Sequence, residues 1–176
     1  MATFTNRLSQ YDRSKVPDGK DYRIGLVVSK WNETITELLY KGAKDTLLNH
    51  NVAEKNIIRI DVPGSFELIY GACRAQQMSL DAIITIGCVI KGDTRHFEFI
   101  SNAVAQGIKD LNLNGKAPVV FCVLTDENIE QSKARSGGDK GNKGIEAAIT
   151  ALSTVSYTHL RAHETGRNLV CRLLLE

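Results

Sequence analysis

The sequence predicts an α/β fold: a flavodoxin-like three-layer α/β/α sandwich around a four-stranded parallel sheet. Three observations predict it. Four short apolar runs rich in β-branched residues recur along the chain. They are nearly continuous rather than alternating, as strands covered on both faces should be. Each is followed by apolar residues at helical spacing. Repeated strand–helix alternation implies βαβ units and parallel pairing.

The first run is Ile24–Ser29, followed by a stripe of Ile35, Leu38, Leu39, Gly42, Ala43 and Leu47. Thr34 and Glu37 have the spacing of a capping box at its start. The second run, Ile57–Val62, precedes a shorter stripe of Phe66, Ile69, Tyr70 and Cys73. The third, Ala82–Ile90, leads into Phe97, Ile100, Ser101, Val104, Ile108 and Leu111. The fourth is Pro118–Leu124, and Ile145, Ala148, Ile149 and Leu152 form a last stripe.

Composition narrows the function classes. A chain of 176 residues, 43% apolar and 24% charged, fits one globular domain. Its net charge of +2 comes from 22 basic and 20 acidic residues spread along the chain. No basic run stands out, so neither a nucleic-acid nor a membrane partner is expected. No apolar stretch is long enough for a spanning helix, and the N-terminus lacks the apolar core of a signal peptide. Cys73, Cys88, Cys122 and Cys171 show no C-x-x-C and no metal-ligand spacing. A reduced, cytoplasmic protein without a metal is the plain expectation.

Ligands of such sheets gather where strands hand over to helices. Four loops are therefore site candidates: Lys30–Thr34, Pro63–Glu67, Lys91–His96 and Thr125–Asn128. Gly92, Asp93 and Thr94 open a helix, where free N–H groups and the dipole favour an anion. The same residues serve equally as a plain helix cap. His96, in the first helical turn beside them, can carry protons near neutrality or can be a solvated loop residue. Pro63, Gly64, Ser65, Phe66 and Glu67 combine a sharp turn, an aromatic ring and a carboxylate, which suits a planar ligand with hydroxyls. They also suit a helix start with a core phenylalanine. Trp31, the only tryptophan, either stacks on a heterocycle or fills the core. Arg135 lies in the basic, glycine-rich segment KARSGGDKGNK and is suited to bidentate phosphate binding. A solvated loop would have the same composition. His96-Phe97-Glu98 reads H-x-E, the opening of a zinc deaminase, but no P-C-x-x-C follows and that reading fails.

In order, VVSKWNETIT, IDVPGSFELIYGA, DAIITIGCVIKGDTRHFEFI, VVFCVLTDENIEQSKAR and GNKGIEAAITAL resemble the successive signature segments of the lumazine synthase family. The resemblance runs from about Tyr22 to Leu152. It implies the penultimate step of riboflavin biosynthesis: condensation of 5-amino-6-(D-ribitylamino)uracil with 3,4-dihydroxy-2-butanone 4-phosphate, with loss of phosphate and water. It implies no metal or organic cofactor. Trp31 matches an aromatic residue that stacks on the pyrimidine, with tryptophan in place of the expected phenylalanine. Ser65, Phe66 and Glu67 match the turn that holds the ribitylaminouracil. Cys88, Val89 and Ile90 match the strand end whose backbone reads the uracil edge. Asp93 and Thr94 match the phosphate-binding turn, Arg135 the phosphate-binding arginine and His96 the proton-transfer histidine. Asp93 would repel the ligand if its carboxylate pointed inward, so its N–H is expected to serve. Phe121 matches a residue lining the site of the neighbouring subunit. The resemblance further implies a homo-oligomer, a pentamer or a hollow shell of sixty subunits, with sites shared between subunits and riboflavin synthase as a partner.

On this reading residues 1–21 are an extension, 22–154 the domain and 155–176 a tail foreign to the family pattern, resembling translated adapter or vector sequence. Two relatives of the fold are excluded by residue type. A phospho-acceptor receiver needs acidic residues where Ser29-Lys30 and Ile90-Lys91 stand, and a flavin carrier needs a glycine-bearing loop where SKWNET stands. A catalytically inert shell or ligand-binding protein of the same fold is the alternative to an enzyme.

Overall fold

The computed structural model describes residues 11–157. Strands β1 (Ile24–Ser29), β2 (Ile57–Val62), β3 (Ala82–Ile90) and β4 (Val119–Asp126) form one parallel sheet in the order β2-β1-β3-β4. Helices α1 (Glu33–Asn49), α2 (Leu68–Ala75), α3 (His96–Asn114) and α4 (Ile129–Arg135) follow the strands in turn. A small antiparallel hairpin, β5 (Ser136–Gly138) and β6 (Gly141–Asn142), leads into a last helix, α5, through residues 143–157.

Burial explains the continuous apolar runs. All six residues of β1 are buried, as are the first seven of β3. One face, with Leu26, Val28, Ile84 and Ile86, packs against Ile35, Leu39 and Leu47 of α1 and Ala148, Leu152 and Val155 of α5. The other, with Val27 and Ile83, packs against Leu68, Ala72 and Ala75 of α2 and Val104 and Ile108 of α3. The expected three-layer parallel sandwich is the observed fold. At roughly 1.5–3 kcal/mol per fully buried large aliphatic side chain, these two clusters dominate its stability.

Four local expectations are corrected. The Thr34–Glu37 capping box does not form: Asn32 occupies the cap position in the left-handed region, with no side-chain cap bond, and Glu37 instead meets Arg59 of β2. A charge-assisted guanidinium contact outcompetes a neutral N–H for that carboxylate. The stripe after β2 is out of phase. Helix α2 turns Leu68, Gly71, Ala72 and Ala75 inward and leaves Phe66 and Tyr70 exposed. Close packing sets that phase, because a Cβ on Gly71 would sit 2.7 Å from Val27 Cγ1 and 2.9 Å from Val62 Cγ1. The last strand begins at Val119 rather than Pro118 and runs on to Asp126, since Val89 and Ile90 still offer Thr125 and Asp126 ladder partners. The segment expected as a loop also holds order: Asn128 caps α4 by accepting from the Gln131 N–H at 2.9 Å, and β5 and β6 pair behind it.

The expected tail begins inside α5, where Val155 is wholly buried in the core. Most of the tail, residues 158–176 with Cys171, lies outside the described residues, as does the first part of the extension, 1–10.

Candidate active site

In a parallel sheet of order β2-β1-β3-β4, the chain reverses its direction of travel between β1 and β3. Loops after these strands leave in opposite directions and open a crevice at their carboxyl ends. Asn32 and Ser65 close the floor of this crevice. The Asn32 amide Nδ2 donates to the Cys88 carbonyl at 2.9 Å, and the Ser65 hydroxyl approaches the same oxygen at 3.5 Å. Asn32 has φ 60° and ψ 43°, a left-handed conformation that asparagine tolerates better than most residues. That conformation turns the chain sharply from β1 into α1 and aims the amide across at β3.

Trp31 continues the β1–β2 pairing beyond the strands: its N–H donates to the Pro63 carbonyl at 3.1 Å, after Lys30 N–H to Val62 O at 2.9 Å. Its indole, 67% exposed, is not core filler. The ring lies over the Gly64 turn, where an added Cβ would come 3.1 Å from Trp31 Cε3 and 3.0 Å from Glu67 Oε2. Gly64 thus leaves room for an aromatic face and a carboxylate side by side. The Glu67 carboxylate has no hydrogen-bond partner among the described residues. Phe66 is half exposed and Ser65 buried. Gly87 is equally constrained, since a Cβ there would stand 2.8 Å from Ser65 Oγ. Val89 and Ile90, half-buried, end β3 beside this group.

On the other side of β3 the turn of Gly92, Asp93 and Thr94 is open to solvent, and an added Cβ on Gly92 would meet nothing within 4 Å. The Thr94 hydroxyl accepts the His96 N–H at a loose 3.4 Å, while Asp93 forms no cap. His96 is the first residue of α3; it is exposed, and its imidazole has no partner among the described residues.

Arg135 ends α4, half-buried. Its Nη1 donates to the Gln131 carbonyl at 3.1 Å and lies 3.8 Å from Asp126 Oδ1. Asp126 is buried, and its Oδ2 accepts from the buried Ser132 hydroxyl at 2.8 Å. Ser132 Oγ is 3.4 Å from Cys88 Sγ. Burial, reinforced by the Asp126 charge, pushes the Cys88 thiol above its ordinary value, so it stays protonated near neutrality.

The rim therefore has two sides. Trp31, Ser65, Phe66, Glu67 and the Cys88 carbonyl gather around β2, β1 and β3; Asp93, Thr94 and His96 follow β3 and Arg135 lies beyond β4, with no hydrogen bond or ion pair between Arg135 and that turn among the described residues. Phe121 joins neither. It pairs with Thr85, midway along β3, and stands exposed on the edge strand β4, in a concavity of about 490 Å³ shared with Lys143, Glu146 and Thr150. Lys143 is there paired with Glu146 at 2.5 Å. Asn32, Asp126 and Ser132 were not among the site residues expected from sequence. Asn32 and Asp126 lie in two of the four expected strand-end loops, a positional signal that could have found them; Ser132 had none. Among the described residues no group of three or more His, Cys, Asp or Glu side chains could hold a metal ion. No helix among them is long and apolar enough to cross a membrane.

Comparisons with known proteins agree on one family. The family model described as 6,7-dimethyl-8-ribityllumazine synthase matches residues 21–159. A protein of that name from Christiangramia forsetii is 59% identical over 155 residues, 86% of this chain and 92% of the relative. One from Flavobacterium johnsoniae is 56% identical, covering 86% of this chain and 80% of its own length. A third, from Porphyromonas gingivalis, is also 56% identical, over 86% of this chain and 95% of the relative. With the match spanning the whole sheet and every loop of the crevice, the chain belongs to the 6,7-dimethyl-8-ribityllumazine synthase family.

Proposed function

We propose that this chain condenses 5-amino-6-(D-ribitylamino)uracil with 3,4-dihydroxy-2-butanone 4-phosphate to give 6,7-dimethyl-8-ribityllumazine, phosphate and water, the penultimate step of riboflavin biosynthesis. Family membership supports an enzyme of transferase type. The observation that carries the specific reaction is the set of side chains at the carboxyl ends of the strands: an exposed indole beside an unpaired carboxylate after β1 and β2, an exposed histidine after β3 and a partly held guanidinium after β4.

Trp31 stacks on the pyrimidine, Glu67 accepts ribityl hydroxyls, and Ser65 and Phe66 shape the turn that holds them. The backbone of Cys88, Val89 and Ile90 reads the uracil edge. Thr94, the Asp93 N–H and Arg135 bind the phosphate. The aromatic amine attacks the ketone, a Schiff base forms with loss of water, phosphate leaves by elimination, and the ribitylamino nitrogen closes the second ring onto the remaining carbonyl with loss of a second water. His96 takes and returns the protons these steps move. Holding both substrates in register supplies much of the acceleration, and acid–base help from a histidine adds about 10²–10⁴-fold. The reaction calls on no metal or organic cofactor.

Assembly completes the reading. Trp31, Phe66, Tyr70, Phe99 and Phe121 are exposed on the single chain, more aromatic surface than a monomer usually leaves in water. Phe121, remote from its own rim, lines the crevice of a neighbouring subunit in a pentamer or a sixty-subunit shell. Riboflavin synthase, which takes the product, is the proposed partner, and the cytoplasm, where Cys73, Cys88 and Cys122 stay unpaired, the proposed compartment.

The test is to mix the protein with both substrates and follow lumazine absorbance, fluorescence and phosphate. One phosphate released per lumazine supports the proposal. Lumazine no faster than the uncatalysed background overturns it in favour of an inert shell.

A further inference from the structure

We infer that Asp126 is a positioning residue that sets Arg135 for the phosphate of the butanone substrate. The inference rests on the phosphate-binding role proposed for Arg135 and adds the group through which that arginine is held.

Asp126 is the last residue of β4, so the central sheet fixes its backbone. Its Oδ2 is engaged by Ser132 at 2.8 Å, which orients the carboxylate and leaves Oδ1 facing Arg135 Nη1 at 3.8 Å. The Gln131 carbonyl holds the same Nη1 at 3.1 Å. Among the described residues, Nε and Nη2 have no partner. These two donors lie along one side of the guanidinium plane and present the parallel pair of N–H groups that phosphate takes bidentately. The arginine is thus gripped at one corner and open along one edge.

Arg135 needs such a grip. It sits at the end of a short helix, just before the Gly137–Gly138 hairpin, and an arginine there loses much rotamer freedom on binding. A carboxylate that fixes the guanidinium beforehand moves this cost from binding to folding. The hydrogen bonds continue inward. The single Ser132 proton goes to the charged carboxylate, so the Cys88 thiol donates to Ser132 Oγ at 3.4 Å. Cys88 is also the residue whose carbonyl receives Asn32 and Ser65 on the pyrimidine side. A chain of contacts, buried from Cys88 through Ser132 to Asp126 and ending at the half-buried Arg135, therefore ties the phosphate arm to the end of β3.

Steady-state kinetics of Asp126→Asn, Ser132→Ala, Arg135→Ala and the double variant Asp126→Asn/Arg135→Ala test the inference. Asp126→Asn keeps the shape and an acceptor for Ser132 but loses the charge. It should raise KM for the butanone phosphate about tenfold, the scale of one immobilised side chain, and move kcat and the KM for the ribitylaminouracil far less. Ser132→Ala should raise the same KM by a smaller factor, and it carries the test if Asp126→Asn does not fold. In the Arg135→Ala background, Asp126→Asn should add nothing further to that KM. An equal added factor there means that Asp126 acts through the fold and overturns the inference. So does an Asp126→Asn KM that is unchanged or lower, in which case the carboxylate only dilutes the guanidinium's charge. If Arg135→Ala itself leaves that KM unchanged, the phosphate role of Arg135 fails and the inference falls with it.

Discussion

The Asn32 side chain spans from the end of β1 to the Cys88 carbonyl on β3, at 2.9 Å, while its own backbone holds a left-handed conformation at φ 60°. One residue makes both the turn and the cross-strand bond, and two substitutions separate them. Asn32→Gly relieves the backbone and loses the bond; Asn32→Ala loses the bond and adds strain of about 1–2 kcal/mol. In urea unfolding the alanine variant should therefore be the less stable of the pair by roughly that margin. Both should raise KM for the ribitylaminouracil, since the Cys88 peptide loses its anchor. Equal stability of the two variants would show that the αL conformation relaxes without the amide.

His96→Ala separates proton transfer from binding. The imidazole has no partner among the described residues, so its removal leaves no buried group unsatisfied and should barely change stability. Turnover should fall about 10²-fold or more, with KM for the ribitylaminouracil nearly unchanged, and the pH dependence of kcat should flatten. The loss stays partial because both substrates remain positioned. Wild-type turnover across neutral pH in this variant would make His96 a helix-start residue and nothing more.

Sheet and crevice differ in how legible they are in the sequence. β1 and β3 are legible to the residue, because strands buried on both faces must be apolar throughout, and the turn residues after them mark their ends; β2, at the sheet edge, keeps its bounds although Arg59 and Asp61 interrupt its apolar run and stand exposed. Helix phase is less legible. Phe66 and Tyr70 look like the inward stripe of α2 because aromatic residues are usually buried, yet the sheet lies so near that only Leu68, Gly71, Ala72 and Ala75 fit beneath. The rim was legible as loops with chemistry in them, but not as a set of contacts. That Glu37 serves Arg59 rather than a helix cap, and that Ser132 reaches Asp126, depends on neighbours brought close by the fold. Local spacing cannot express such pairs. Phe121 marks the other limit: its place on an open strand edge, away from the rim, follows from strand order, which the alternation of elements left undetermined.

His50 gives stability an acid limb. It is buried at the end of α1, its Nε2 lies 3.3 Å from the Tyr11 hydroxyl, and its backbone carbonyl accepts the Gly19 N–H at 2.7 Å. Desolvation, helped by the nearby Arg13 charge, lowers its pKa below the ordinary 6.5. Above 6.5 both folded and unfolded states hold it neutral, and the full contribution is present. As pH falls below 6.5 the unfolded chain takes the proton first, so stability declines until the lowered folded value is passed. One such proton sets a slope of at most about 1.4 kcal/mol per pH unit. His50→Gln should remove that part of the decline. Urea midpoints of both proteins at pH 7.5 and 5.5, at one protein concentration, measure it. An identical drop in the two would assign the acid limb to other groups.

Val155 is the last wholly buried side chain of α5 among the described residues. Its side chain is wholly buried against the α1 face of the sheet with Leu152 and Ala151, whereas Ser156 is half-buried and Tyr157 exposed. A chain ending after Ser156 keeps every core side chain that α5 shows among the described residues and should retain fold, assembly and activity. A chain ending after Thr154 loses Val155, worth about 1.5–3 kcal/mol of burial, and frees the last turn of the helix. Its melting temperature should fall by several degrees, with activity surviving at low temperature because the crevice lies at the carboxyl ends of the strands. Thermal melts of the two truncations beside the full chain decide between a core that ends at Val155 and one that extends past Ser156. If the chain ending after Ser156 aggregates or melts as early as the one ending after Thr154, the last segment is part of the folded structure.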